Sequence, residues 1–265
     1  MLIIQISDMH VKEAGILYKG KVDTHAHMAR AVEHILAFDP LPDVVLATGD
    51  LVDAGGAGEY AALRTLLAPL SMPVYMIPGN HDARAPLLGA FPDHTYLPRD
   101  GGALRYAIDE HPIRIIGLDS LIEGEVGGRI DAPQRAWLDR TLGARPDTPT
   151  IVMLHHPPAP AGVPWLDRIS LEEADTLGEI ITRHPQIVRV LSGHDHRPVQ
   201  QLWCRTLSVT APSTAHQFVL TFDPESSGNW GMEPPACLVH RWLGEDGGLV
   251  THTSYIGDYG PPQSF

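Results

Sequence analysis

The chain has 265 residues, 43% of them hydrophobic, which is enough for one α/β core and predicts a single domain over residues 1–265. Thirty-two acidic against nineteen basic side chains give a formal net charge of −13, which argues against an extended nucleic-acid track; a small anionic substrate fits only where bound cations dominate the local field. No apolar run approaches the length of a membrane span, no basic leader opens the chain, and Cys204 and Cys237 make no disulfide framework, so a cytoplasmic chain with free thiols is expected.

Residues 2–6 predict a short buried strand, and Asp8-Met9-His10 follows at its carboxyl end. Asp8 and His10 stand two apart, so in an extended segment both project to one side and can share a metal ion; a plain strand-end turn is the competing reading. The polar stretch 11–25, with Tyr18, Lys19, Lys21 and Asp23, comes next and is placed to overhang the strand ends, although its lysines also suit simple solvation. A helix is predicted over 24–38, with Thr24 as N-cap and Met28, Val32, Ile35 and Leu36 on one face, stopped by Asp39-Pro40.

The continuous apolar run 44–47 reads as a strand covered on both faces, ending in Thr48-Gly49-Asp50. Asp50 carries two oxygens that can bridge two cations. A second helix is predicted over 58–69, then a strand over 74–77 that ends in Pro78-Gly79-Asn80-His81-Asp82. Strand, helix, strand, helix, strand implies parallel strands with right-handed crossovers and ligands at their carboxyl ends.

Residues 83–102 read as irregular, 104–109 with 113–119 as a hairpin, 120–131 as a Gly- and Glu-rich loop, and 133–142 as a helix. The strand predicted over 150–154 ends in His155-His156-Pro157-Pro158. A capped helix is expected over 170–183, and the strand over 187–191 ends in Gly193-His194-Asp195-His196. Strands are expected over 202–210 and 216–222, a Pro/Gly-rich stretch over 223–235, and a closing hairpin over 236–243 and 249–255; the last ten residues carry no pattern. Of fifteen histidines, His34, His94, His111 and His184 read as scattered surface residues, which leaves the strand-end ones to explain.

Sorted by chemistry, Asp8, His10 and His196 can make one pocket, Asn80, His155 and His194 another, and Asp50 can bridge them. Two divalent ions held about 3.5–4 Å apart suit oxyanion chemistry, acidifying a bridging water and neutralising charge on phosphorus. Nitrogen and oxygen ligands without thiolate fit Fe, Zn, Mn or Co; nothing in the set chooses among them. His81 adjoins a ligand and can serve a leaving group instead, with an outer structural role as the alternative. His156 and His216 are weaker candidates for the cleft wall, balanced by structural roles, and Tyr18 is a candidate from the overhanging loop.

Taken together, Asp8-x-His10, Gly49-Asp50, Gly79-Asn80-His81-Asp82, His155 and Gly193-His194-Asp195-His196 resemble the five signature blocks of the calcineurin-like metallophosphoesterases, over about residues 4–197. Segments 1–10, 77–82, 155–158 and 214–217 are similar to the bacterial class III cyclic-nucleotide phosphodiesterases and glycerophosphodiesterases; Met9 departs from a frequent Thr, at a position that is not a ligand. The resemblance implies a four-layer αββα sandwich, two mixed sheets flanked by helices. It implies a first metal on Asp8, His10, Asp50 and His196 and a second on Asp50, Asn80, His155 and His194. It also implies a β-rich C-terminal excursion, about 202–243, through which a homo-oligomer forms. The expected activity is hydrolysis of small phosphodiesters, cyclic nucleotides or glycerophosphodiesters, by a metal-bridging hydroxide, with Asp50, Asn80 and His81 as catalytic residues and His81, His156, His216 and Tyr18 as substrate contacts. A metal-dependent phosphomonoesterase is the alternative, marked by Arg84 near the Asn-His block. A non-catalytic metal-binding scaffold is the third reading, disfavoured by the intact ligand set.

Overall fold

The computed structural model describes residues 1–261 and 263–264. The first run is β1 (Leu2–Ile6), α1 (Thr24–Leu36), β2 (Val44–Thr48), α2 (Ala57–Leu67), β3 (Val74–Ile77) and α3 (Arg84–Ala90). The second is β4 (Tyr106–Ile108), β5 (Arg114–Gly117), β6 (Gly128–Arg129), α4 (Ala132–Gly143), β7 (Thr150–Met153), α5 (Pro164–Asp167), β8 (Leu171–Glu172), α6 (Ala174–Arg183) and β9 (Ile187–Ser192). The chain closes with β10 (Val199–Trp203), β11 (Thr206–Thr210), β12 (Gln217–Phe218), β13 (Trp230–Gly231), β14 (Ala236–Trp242) and β15 (Leu249–Tyr255).

One sheet has the order β15-β14-β1-β2-β3 and the other β10-β11-β9-β7-β5-β4. In the first, β1, β2 and β3 are parallel, β14 runs against them and β15 runs against β14; in the second, β5, β7, β9 and β11 are parallel and β4 and β10 are antiparallel edges. Both sheets are mixed, as expected. Side-chain alternation divides the core. Ile115, Ile151, Met153 and Leu191 join residues of the first sheet, whereas Ile116, Val152, Leu154 and Val190 face Leu138 and Leu142 of α4 and Leu177, Ile180 and Ile181 of α6. Met28, Val32 and Ile35 of α1 and Tyr60 and Leu63 of α2 join the same core as the first sheet. The layers are therefore helix, sheet, sheet, helix.

A buried polar thread crosses the layers. Gln5 Nε2 donates to Thr48 Oγ1 (3.0 Å) and, across the two sheets, to the Ser192 carbonyl (2.9 Å). Its Oε1 faces His240 Nε2 at 3.1 Å, and His240 Nδ1 lies 2.9 Å from Thr251 Oγ1. Satisfied groups of this kind avoid the penalty of a buried, unpaired polar atom.

Several sequence expectations change. α1 is capped by Asp23, whose carboxylate accepts from the Ala26 amide, so Thr24 is already helical. The stretch 83–102 contains α3, which holds Pro86 within its first turn, where proline costs no hydrogen bond. The helix expected over 170–183 starts at Ala174, because Leu171 and Glu172 pair with Gly128 and Arg129 instead. The strand expected over 202–210 is two: the chain reverses at Cys204 and Arg205 (φ +47° and +70°), so β10 and β11 form a hairpin. The strand expected over 216–222 shortens to β12. Within the stretch 202–243, the end of β10 and β11 extend the second sheet, β12 and β13 pair as a two-stranded sheet of their own, and β14 lies between β1 and β15 in the first. Of the expected pattern-free ten residues at the end, 262 and 265 lie outside the described residues.

Candidate metal centre

Five strand ends converge. β1 delivers Asp8 and His10, β2 Asp50, β3 Asn80, β7 His155, and β9 His194 and His196. The turns after β1 and β2 run side by side: the Asp8 amide donates to the Gly49 carbonyl (3.1 Å) and the His10 amide to the Asp50 carbonyl (3.0 Å). The backbone is not extended there. Asp8, His10, Asp50, His194 and His196 have φ of +51°, +43°, +48°, +72° and +48°. Left-handed turns, not strand pleat, bring each pair to one side, and each non-glycine residue held so costs on the order of 1–2 kcal/mol.

Glycines allow the close approach. A Cβ on Gly79 would fall on the carboxylate and amide of Asp50, and one on Gly193 would press on Ser7 Oγ and lie 2.7 Å from Asp8 Oδ2. The His194 amide donates to both Asp8 carboxylate oxygens at 3.0 Å, so the first strand of one sheet is tied to the ligand loop of the other.

Carbonyl partners fix the imidazole protons. His155 Nδ1–H donates to the Thr48 carbonyl (2.8 Å) and His196 Nδ1–H to the His216 carbonyl (2.9 Å). The Nε2 lone pairs therefore point inward, an arrangement typical of metal-bound histidines. His155 Nε2 lies 3.4 Å from Asp50 Oδ1 and 3.2 Å from Asn80 Oδ1; His194 Nδ1 lies 3.1 Å from the same amide oxygen. His10 Nε2 lies 3.5 Å from Asp50 Oδ2 and 3.0 Å from His196 Nε2, which itself is 3.4 Å from Asp8 Oδ1. Acceptors thus face acceptors on both sides of Asp50, in a buried pocket. Cations between them fit that donor set, and its mixture of imidazole, carboxylate and amide oxygen suits borderline divalent ions. Asp8, His10, Asp50 and His196 each offer an atom within 4.8 Å of the others.

The electrostatics follow from burial and proximity. Burial raises the Asp8 carboxyl above its ordinary range. Burial also acts on Asp50, but the neighbouring His155 and His81 imidazoles outweigh it and hold that carboxyl well below the ordinary range. Burial would lower His81, yet the Asp50 and Asp53 carboxylates push it up to about 10.

His81 sits at the rim, about a third exposed, with its ring edge-on to His10 at 4.5 Å between centroids. Its backbone amide donates to Asp50 Oδ1 (2.9 Å), and its Nδ1–H donates to the Asp53 carbonyl (2.7 Å). Tyr18 reaches in from the 11–25 loop, stacked on His216 at 4.5 Å and edge-on to Trp230 at 6.1 Å. His216 is fully buried, 5.5 Å from the His10 ring, and neither of its ring nitrogens has a hydrogen-bond partner. His156 is different. Its Nε2–H donates to the Val126 carbonyl (3.1 Å), its Nδ1 accepts from Ser120 Oγ (2.8 Å), and it has no exposure. It pins the 120–131 loop beside His155 and His194, with which it groups three ring nitrogens within 4.8 Å of one another.

Sequence reasoning gave Asp53 and Asp82 no role of their own. Asp53 lies 3.5 Å from His81 Nδ1 and 3.7 Å from His10 Nδ1, and its own carboxylate is held by Lys12 Nζ at 3.0 Å. Its signal was available, three residues after Asp50. Asp82 receives the amides of Gly79 (2.8 Å) and Leu51 (3.0 Å) and the Tyr60 hydroxyl (2.9 Å), which locks the loop after β3 to the loop after β2. Arg84 is held by Asp119 through two bonds of 2.7 and 3.0 Å and by the Leu121 carbonyl, so it is committed to structure and does not mark a phosphomonoester site.

The calcineurin-like phosphoesterase family model matches residues 1–198. A probable glycerophosphodiester phosphodiesterase of Arcobacter nitrofigilis is 35% identical over 266 residues, covering 100% of this chain and 97% of that protein. A 3',5'-cyclic adenosine monophosphate phosphodiesterase of Pseudomonas aeruginosa is 30% identical, covering 97% and 91%. Among solved structures, a dimetal phosphatase from Danio rerio superposes with a TM-score of 0.66 at 14% identity, covering 97% of this chain and 98% of that one, a likeness of fold.

Proposed function

The chain belongs to the calcineurin-like phosphoesterase family and is a metal-dependent phosphodiester hydrolase; on that premise we propose that it hydrolyses glycerophosphodiesters at the centre around Asp50. The observation that carries the proposal is Asp50 itself, whose two oxygens face His155 on one side and His10 on the other. Asp8, His10, Asp50 and His196 would hold one divalent ion, and Asp50, Asn80, His155 and His194 a second. When bound, such ions supply Lewis acidity toward a phosphoryl oxygen and an activated water.

The chain's own residues do the rest. Thr48 and the His216 carbonyl hold the His155 and His196 rings with their lone pairs inward. Asp53 takes the Nδ1 proton of His81 through its carbonyl, so the proton that His81 presents to a leaving alkoxide is the one on Nε2. Tyr18, backed by the buried His216 ring, forms the wall against which an alcohol group packs.

Over nearly the whole chain, two relatives named for glycerophosphodiesters are 35% and 33% identical and the cyclic adenosine monophosphate phosphodiesterase of Pseudomonas aeruginosa 30%, which favours the glycerophosphodiester class. The test is a comparison of kcat/KM for metal-loaded protein on glycerophosphocholine, glycerophosphoethanolamine, cyclic AMP, 2′,3′-cyclic AMP and simple monoesters. Glycerophosphodiesters should rank first. A monoester ranking first would overturn the reading.

A cytoplasmic location is proposed, with both cysteines free; a thiol-trapping experiment on cells that finds either cysteine oxidised would count against it, and among the described residues no helix is long and apolar enough to cross a membrane. Self-association is proposed through the 202–243 stretch, where Leu202, Val219, Leu220, Phe222 and Met232 are exposed. Sedimentation that finds a monomer at high concentration removes this proposal.

A further inference from the structure

The sequence holds three lysines, Lys12, Lys19 and Lys21, and all lie within ten residues of one another in the loop that overhangs the centre. Every other fixed cation of this acidic chain is an arginine or the N-terminal amine. Lys12 is committed: its ammonium is 3.0 Å from Asp53 and 2.8 Å from Glu59. Lys19 and Lys21 are exposed and form no ion pair among the described residues.

Their position is built. Tyr18 and Val22 pair as a tight bridge, with the Tyr18 amide donating to the Val22 carbonyl at 2.8 Å, and Lys19 and Gly20 turn the chain at φ of +47° and +68°. A lysine held in the left-handed region costs on the order of 1–2 kcal/mol. The bridge faces Tyr18 inward onto His216 and leaves the two ammonium groups over the aromatic wall: Lys19 Nζ 5.6 Å from the Tyr18 ring and Lys21 Nζ 5.9 Å from the Trp230 ring. The acids of the same loop are turned elsewhere. Glu13 lies over Gly58, and Asp23 caps α1. Behind Tyr18, His216 brings two unpartnered buried nitrogens to the wall that continues to His10. Polar atoms of this kind call for a polar ligand.

We propose that the 18–22 hairpin is a specificity element that selects phosphodiesters carrying a second anion, a carboxylate or a phosphate, on the alcohol that packs against Tyr18. The proposal rests on the phosphodiesterase reading and narrows its substrate class. Two uncompensated ammonium groups at the mouth of a molecule with a formal net charge of −13 make the mouth a place where added negative charge is welcome. Interactions at a rim act on encounter and salt dependence more than on chemistry, so they should appear in kcat/KM and fade as the Debye length shortens.

The test uses four glycerol phosphodiesters with similar alkoxide leaving groups: esters of propanol, choline, 3-hydroxypropanoate and 1,3-propanediol monophosphate. The metal-loaded protein at low salt should favour both anionic esters over the propyl ester by about tenfold in kcat/KM and place choline last, and the preference should shrink at high salt. Lys19→Met with Lys21→Met should bring the anionic-to-propyl ratio near one, whereas Lys19→Arg with Lys21→Arg should keep it. The last two esters separate carboxylate from phosphate recognition. Equal rates on all four esters, or an unchanged ratio in the methionine variant, would overturn the proposal and leave the phosphodiesterase reading standing. No hydrolysis of any ester would remove both.

Discussion

Asp50 and His81 are the two residues on which the chemistry can be separated from metal retention. Asp50 faces both ligand groups, so Asp50→Ala should lose metal from both sides and activity with it, as read by elemental analysis beside turnover. His81 faces the rim, with Nδ1 committed to the Asp53 carbonyl. His81→Ala should keep its metals and lose about 10²–10⁴-fold in rate on alkyl diesters, but less on a nitrophenyl diester whose leaving group hardly needs a proton. Equal losses on both would refute proton donation from Nε2. At this scale the sequence was informative about identity and poor about partners. Asp8, His10 and Asp50 each follow an apolar run, a local signal. Whether His156 faced a substrate or Ser120 depended on a contact 36 residues away, which no local pattern carries. The left-handed backbone of five metal-site residues was equally hidden, because Asp and His tolerate it only where surrounding hydrogen bonds enforce it.

Among the elements, the parallel strands were legible because strands buried on both faces read as continuous apolar runs, and glycines marked where their ends approach. Turns without glycine were not. The β10–β11 reversal uses Cys204 and Arg205, neither of which announces positive φ. α3 was masked by Pro86, harmless in a first turn but a breaker by rule. The glycine contacts make a sharp prediction for the loop after β9. Gly193→Ala puts a methyl group against Ser7, Asp8 and the Thr48 carbonyl, the last a backbone atom that cannot swing aside. The variant should lose about 1–3 kcal/mol in denaturant unfolding and bind its first metal more weakly. Unchanged metal affinity would mean that the Asp8–His194 junction is softer than the contacts indicate.

Across the whole molecule, the buried thread Gln5–His240–Thr251 couples stability to pH. Burial lowers His240 from its ordinary 6.5 to about 3. Between those values the unfolded chain carries one more proton at this position than the fold does. Stability is therefore lost as pH falls below about 6.5, by about 1.4 kcal/mol per unit from this residue. His240→Gln should show a flatter stability curve than the parent between pH 6 and about 4.5, whatever its absolute stability, when both are unfolded with denaturant at each pH. Parallel curves would place the proton elsewhere.

The convergence of strand ends has a mechanical side. β1, β2 and β3 of one sheet bring Asp8, His10, Asp50 and Asn80; β7 and β9 of the other bring His155, His194 and His196. An ion shared between these groups would be a rivet through the seam between two slabs already joined by side-chain packing and by hydrogen bonds such as the Gln5 link, the His155 ring on the Thr48 carbonyl and the His194 amide on Asp8. Chelation should then speed amide exchange at Asp8, Asp50 and His194 while the outer strands β15 and β10 keep their protection. The catalytic centre would be the fastener that keeps the sandwich from gaping at its working edge.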